Sequence, residues 1–98
     1  MVGFLLFLKP SAIKDLDALR KYDAVMIADE MERFLVQAPT KESKSRIKRL
    51  RGIRDPDYRL RLGDYRVFYN VNKMEKRVDV LRILHKARTR EYYEKVKK

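Results

Sequence analysis

The run Tyr58-Arg59-Leu60-Arg61-Leu62-Gly63-Asp64-Tyr65-Arg66-Val67-Phe68-Tyr69 alternates in character on both sides of a Gly-Asp pair, the pattern of a two-residue β-hairpin. Glycine at the first central position suits a type II′ turn, which sets Leu62 opposite Tyr65, Leu60 opposite Val67 and Arg61 opposite Arg66. Tyr58, Leu60, Leu62, Tyr65, Val67 and Tyr69 then share one face, and Arg59, Arg61 and Arg66 the other. Two arginines placed directly across from each other repel by some tenths of a kcal/mol, which an anion between them would relieve. Guanidinium groups on a rigid sheet grip phosphate bidentately, so the chemistry this spacing predicts is phosphate binding. The competing reading is two splayed, solvated arginines.

The charge balance supports a polyanionic partner. Lys and Arg number 25 against 14 Asp and Glu, a net charge of +11. The excess is uneven: residues 1–40 hold five basic and six acidic side chains, and residues 41–98 hold twenty and eight, so the halves carry −1 and +12. The chain has no cysteine, which removes disulfides and thiol chemistry and fits a reducing, cytoplasmic setting. Asp55, Asp57 and Asp64 fall in turn segments where Asp bonds its local backbone, and no carboxylates pair as a metal site, so neither a metal nor a cofactor is expected. Val2 to Leu8 is apolar but lacks a basic flank and a small-residue cleavage site, and it is too short to span a bilayer. It reads as a strand buried on both faces, and no membrane association is expected.

The elements that must position the hairpin follow from periodicity. Pro10-Ser11 signals a helix start, with Ile13, Leu16 and Leu19 marking a short amphipathic helix over Ile13–Lys21. Asp23 can cap a second helix whose Ala24, Ile27, Ala28, Met31, Phe34 and Leu35 form one apolar face. Asp29, Glu30, Glu32 and Arg33 form its solvated side. Gln37 to Ser45 is a loop, and the basic stretch Ser45 to Gly52 is an edge strand or an extended connector. Its Lys48, Arg49 and Arg51 are either guards of a sheet edge or a track of phosphate contacts. After a polar turn at Asn72–Lys76, Val78 to His85 is a near-continuous apolar strand suited to a central position, and Thr89 to Lys98 can form one or two helical turns capped by Thr89. These elements predict one α+β domain over residues 1–98. It has a small antiparallel sheet of about four strands in the order β-α-α-β-β-β, both helices on one face, a short C-terminal helix, and the opposite face open for a ligand.

The hairpin block resembles the central signature of RelE/ParE-superfamily toxins of type II toxin–antitoxin modules. Lys48 to Gly52, Val80 to Lys86 and the pair Tyr92-Tyr93 add weaker matches. The resemblance implies the fold just described and a cognate antitoxin as partner. It also implies one of two activities: the RelE branch cleaves messenger RNA in the ribosomal A site, and the ParE branch inhibits DNA gyrase without nuclease chemistry. The RelE-like reading is favoured by the set Arg61, Arg66, His85 and a late tyrosine, with a basic RNA-binding module lacking catalysis as a further alternative. By the resemblance, Arg66 matches the arginine that holds the scissile phosphate. Arg59 and Arg61 match basic residues of the preceding strand, Tyr93 or Tyr92 the late tyrosine, and Lys86 and Arg88 a basic stretch near the carboxyl terminus. The chain has Leu84-His85-Lys86 where the family often has Gly-His-Arg.

Such cleavage attacks the phosphate with the ribose 2′-OH and needs a proton acceptor, charge neutralisation on the phosphoryl oxygens and a proton for the departing 5′ oxygen. Arginines are always protonated and serve as electrostatic clamps rather than bases. His85, the only histidine, is the expected base, against the alternative of a strand-end histidine packed beside the sheet. Of Tyr92 and Tyr93, adjacent on a helix and therefore facing differently, one should stack on RNA or carry a proton and the other should anchor the tail.

Overall fold

The computed structural model describes residues 3–97; Val2 and Lys98, included in the expectations above, lie outside them. Five strands form one sheet in the order β1-β5-β4-β3-β2. They are β1 (Leu5–Leu8), β2 (Ile47–Arg49), β3 (Tyr58–Leu62), β4 (Tyr65–Asn72) and β5 (Arg77–His85), with α1 (Pro10–Asp17), α2 (Lys21–Leu35) and α3 (Thr89–Val96). The α+β order holds. The expected edge strand in the basic stretch is real and is the fifth strand, and β1 joins β5 in parallel while the other pairs are antiparallel.

The hairpin register agrees with the sequence: Leu62 pairs with Tyr65, Leu60 with Val67 and Arg61 with Arg66. Gly63 turns the chain at a φ of 59°, a left-handed value that a side chain disfavours. Leu60 and Val67 are fully buried under Ile27, Met31 and Leu35 of α2, in the core that also takes Tyr58, Tyr69, Val78 and Val80. The Tyr69 hydroxyl, deep in this core, donates to the Pro39 carbonyl at 2.7 Å, and burial pushes its pKa far up.

Three expectations are corrected. β1 is not buried on both faces: it is an edge strand with Leu5 62% and Phe7 50% exposed, and only Leu6 and Leu8 lean on the core. An apolar run cannot say whether its second face finds a cover, and here the covering helices lie on one side only. α1 begins at Pro10 and ends at Asp17, because Ala18–Arg20 must reverse the chain into α2. Asp23 does not cap α2, whose boundary residue is Arg20. It lies within the first turn, where a carboxylate still favours the helix dipole, 3.5 Å from Arg20 and accepting from the Tyr65 hydroxyl at 3.3 Å. Thr89 likewise opens α3 rather than capping it, and its hydroxyl donates to the Lys86 carbonyl at 2.8 Å.

The face expected to be open is partly covered. α3 folds back across it, seating Tyr92 on Phe68 with ring centroids 4.7 Å apart and closing a second small core with Leu84. β5 makes this possible by an irregularity. Phe68 pairs with Arg82 while Tyr69 pairs with Val80, so Leu81 is an extra residue and the alternation of β5 inverts there. Arg82 and Leu84 consequently join the α3 face, and Ile83 and His85 turn to the α1/α2 face. Where β1 stops, α1 shields the outer edge of β5: the Asp15 carboxylate accepts from Arg82 Nε at 2.7 Å, Arg82 Nη2 at 3.0 Å and the Ile83 amide at 2.9 Å.

Candidate nucleic-acid interface

Strand pairing lines up basic residues in two rows on the α3 side of the sheet. One row runs Lys48, Arg59, Phe68, Arg82 and the next Arg61, Arg66, Leu84. Arg82 belongs to the scaffold through Asp15. Among the described residues, Arg20, Arg33, Arg77, Arg82 and Arg88 all have carboxylate partners, whereas Arg59, Arg61 and Arg66 have none. The charge excess is therefore left unneutralised at the hairpin and compensated elsewhere.

Arg66 is held by its own turn. Its Nη1 donates to the Gly63 carbonyl at 2.7 Å and to the Tyr65 carbonyl at 2.9 Å, which fixes the guanidinium at the end of the hairpin. Its pKa is lowered, first by partial burial and then by the positive charges of Arg61 and Arg59. It stays protonated at any physiological pH, so the consequence is stored repulsion that an anion would relieve. Arg59 is half-buried, and its Nε has no hydrogen-bond acceptor among the described residues. Arg61 is exposed across from Arg66, and its carbonyl accepts from Arg46 Nη1 at 3.1 Å.

The two tyrosines divide as adjacent helical residues must. Tyr92 is 8% exposed and belongs to the packing of α3, while half-buried Tyr93 stands edge-on to Phe68 and beside the arginines. Burial pushes the Tyr93 pKa up, and the positive charges of Arg59 and Arg66 only partly oppose it. Its hydroxyl keeps its proton at neutral pH and is a donor there. Tyr93, Arg59 and Lys48 also line a groove of about 500 Å³ with Leu50, Arg51 and Ile53.

The remaining residues expected at the site lie elsewhere. His85 pairs with Tyr65 on the α1/α2 side, their rings edge to face at 5.6 Å, and its Nδ1 accepts from the Ala87 amide at 3.1 Å. The inverted alternation of β5 carries it away from the arginine face. Arg49 also turns to the α1/α2 side, its guanidinium 5.3 Å over the Tyr58 ring and donating to the Tyr58 hydroxyl at 3.3 Å. Lys86 reaches Asp64 at 3.3 Å and Arg88 reaches Glu91 at 3.7 Å, both exposed. Residues that sequence reasoning passed over are Arg46, which sits 5.2 Å over the Phe34 ring, and the apolar pair Leu50 and Ile53 of the groove. The pair's signal was two aliphatic residues in an otherwise basic connector. Among the described residues no three metal-ligating side chains converge, and no helix is long and apolar enough to cross a membrane.

Comparison with known proteins adds the following. A family model described as the ParE toxin of type II toxin–antitoxin system, parDE, matches residues 6–90. Among solved structures, the archaeal RelE–RelB complex from Pyrococcus horikoshii is similar at 30% identity and a TM-score of 0.69, over 87% of this chain and 97% of that one. A mutant of the E. coli toxin RelE in the free state aligns over 98% of this chain and 95% of its own, at 24% identity and a TM-score of 0.72. The toxin–antitoxin complex RelBE2 from Mycobacterium tuberculosis gives 24% identity and a TM-score of 0.68, over 86% and 99% of the two chains. No curated protein matches the chain.

Proposed function

The chain belongs to the ParE toxin family of type II toxin–antitoxin systems, and we propose that it acts as a metal-independent endoribonuclease on messenger RNA in the ribosomal A site, restrained by a cognate antitoxin. The observation that carries this reading is the cluster of three arginines without carboxylate partners, fixed on one sheet face beside a protonated tyrosine. A clamp of this kind matches the charge that builds on phosphoryl oxygens and needs no reorganisation as it forms.

In this mechanism Arg61 and Arg66 hold the two non-bridging oxygens of the scissile phosphate, and Arg59 and Lys48 hold the flanking backbone. The 2′-OH yields its proton to solvent and its oxygen bonds to phosphorus. The bond to the 5′ oxygen breaks, and Tyr93 donates its proton to that oxygen and is reprotonated from water. The products are a 2′,3′-cyclic phosphate and a 5′-hydroxyl end. His85 stands outside this set, because its side chain faces the other side of the sheet. The substrate would place the chain in the cytoplasm. A partner is supported by the similar RelE–RelB complex, and an acidic segment of such an antitoxin would complement the +12 of residues 41–98.

The gyrase-inhibiting reading is favoured by one observation: with His85 turned away, no side chain of the arginine face is neutral and basic at pH 7. Primer extension on messenger RNA after brief induction separates the two. New ends inside translated codons, absent with Arg66→Ala, would support the nuclease. Growth arrest with intact messenger RNA would overturn it in favour of gyrase inhibition.

A further inference from the structure

The groove beside the clamp has a composition that phosphate binding does not explain. Its floor and one wall are aliphatic, Leu50 and Ile53, and another wall is the half-buried Tyr93, while Lys48, Arg51 and Arg59 supply the cations. A track for backbone phosphates needs only the cations and would leave two aliphatic side chains in water for no gain. The groove is also shaped by tertiary contacts. The Leu50 amide donates to the Asp57 carbonyl at 2.8 Å, which holds the connector after β2, and a bridge between Ile53 and Lys97 ties that connector to the end of α3. The two walls are thus fixed to each other, and the space of about 500 Å³ between them is that of a small-ligand site.

We infer that this groove is a subsite for one nucleobase of the RNA, resting on the nuclease reading above and specifying the nucleotide next to the clamped phosphate. Aromatic and aliphatic walls accept the flat face of a base by stacking, which is how single-stranded RNA is gripped when its bases are splayed out. Lys48, Arg51 and Arg59 offer only donors, which suits the acceptor oxygens of a sugar–phosphate leaving the groove and the acceptor edge of the base within it. Arg59 and Tyr93 belong to both the groove and the clamp. A base stacked on Tyr93 therefore sets its own phosphate against Arg59, adjacent to Arg61 and Arg66.

The test is a proton–nitrogen NMR titration of the full chain carrying Arg66→Ala, which leaves the groove residues unchanged. The probes are the four nucleoside 5′-monophosphates and ribose 5-phosphate, which has the same sugar and phosphate but no base. The expected result is saturable movement of the Leu50, Arg51, Ile53 and Tyr93 amides with at least one nucleotide. Its affinity should exceed that of ribose 5-phosphate at least about tenfold, the ratio for one stacked base. Ile53→Asp should remove that advantage and leave ribose 5-phosphate binding in place. Should that variant not fold, the comparison of ligands on the unsubstituted groove decides alone. Equal affinity for nucleotides and ribose 5-phosphate, or shifts confined to the hairpin, would overturn the inference. The readout is independent of cleavage: a base-binding groove in a chain that leaves messenger RNA intact would refute the nuclease and keep the subsite, and cleavage without base binding would do the reverse.

Discussion

Asp15 is expected to be the most costly single carboxylate in the chain to remove. Its side chain accepts two hydrogen bonds from the Arg82 guanidinium and one from the Ile83 amide, joining α1 to the part of β5 that β1 leaves uncovered. Hydrogen bonds to charged groups are worth about 1.5–3 kcal/mol each, and breaking a buried ion pair costs about 3–5 kcal/mol. Here the two side chains retain 14% and 28% of their exposure, so water recovers part of the loss once the partner is gone. The net expectation for Asp15→Ala is about 3 kcal/mol, a fall in Tm of about 15 °C for a domain of this size. Asp15→Asn keeps one acceptor and should lose roughly half as much. Urea denaturation of both variants measures this, and a double-mutant cycle with Arg82→Met isolates the pair, with a coupling of at least about 1 kcal/mol expected. The effect should also reach α3, because Arg82 lies 5.9 Å from the Tyr92 ring centroid. Hydrogen exchange of the α3 amides should therefore speed up in Asp15→Ala beyond what the loss of global stability produces. A destabilisation below about 1 kcal/mol, or a coupling of zero, would refute the argument that this carboxylate seals the sheet edge.

Four other outcomes follow from the same geometry. Arg61→Ala and Arg66→Ala should abolish growth inhibition while changing stability by less than about 1 kcal/mol, since relieved repulsion offsets the lost contacts; a variant that unfolds or stays fully toxic would break the site assignment. Leu60→Asp or Val67→Asp, at positions with no exposure, should prevent folding by circular dichroism, and a stable Asp variant would mean the hairpin faces are reversed. Gly63→Ala should cost about 1 kcal/mol in urea, because φ at this position is 59°. Tyr65, Tyr69, Tyr92 and Tyr93 all have raised pKa values, with burial the largest cause. Their protonated forms are favoured in the fold, so the stability this contributes is complete below pH ~10 and is lost as the pH climbs through the folded values. A phenolate absorbance titration should show these four ionising only with unfolding, and their titration near pH 10 in an intact fold would contradict the burial.

The fold was legible wherever one local rule sufficed. The Gly-Asp turn set the hairpin register, and period-2 alternation assigned Leu60 and Val67 to the core and Arg59, Arg61 and Arg66 to the other face. The 3.6-residue period likewise gave the buried stripe of α2 through Ile27, Met31 and Leu35. The first strand was misread because an apolar run carries no mark of which face will be covered, and nothing packs on Leu5 and Phe7.

The candidate site was legible in kind but not in membership. By itself the sequence determined a basic hairpin face, since the hand of a turn and the alternation of a strand are local properties of the backbone. Tertiary structure alone decided which residues join that face. One extra residue at Leu81 inverts β5 and sends His85 to the far side, a displacement that strict alternation could not foresee. The docking of α3 on Phe68 chose Tyr92 as anchor and left Tyr93 beside the arginines, and the ring of Tyr58 drew Arg49 away. Each of these outcomes depends on contacts between residues distant in the chain, where the competing positions are equally polar or equally aromatic and only the packing distinguishes them.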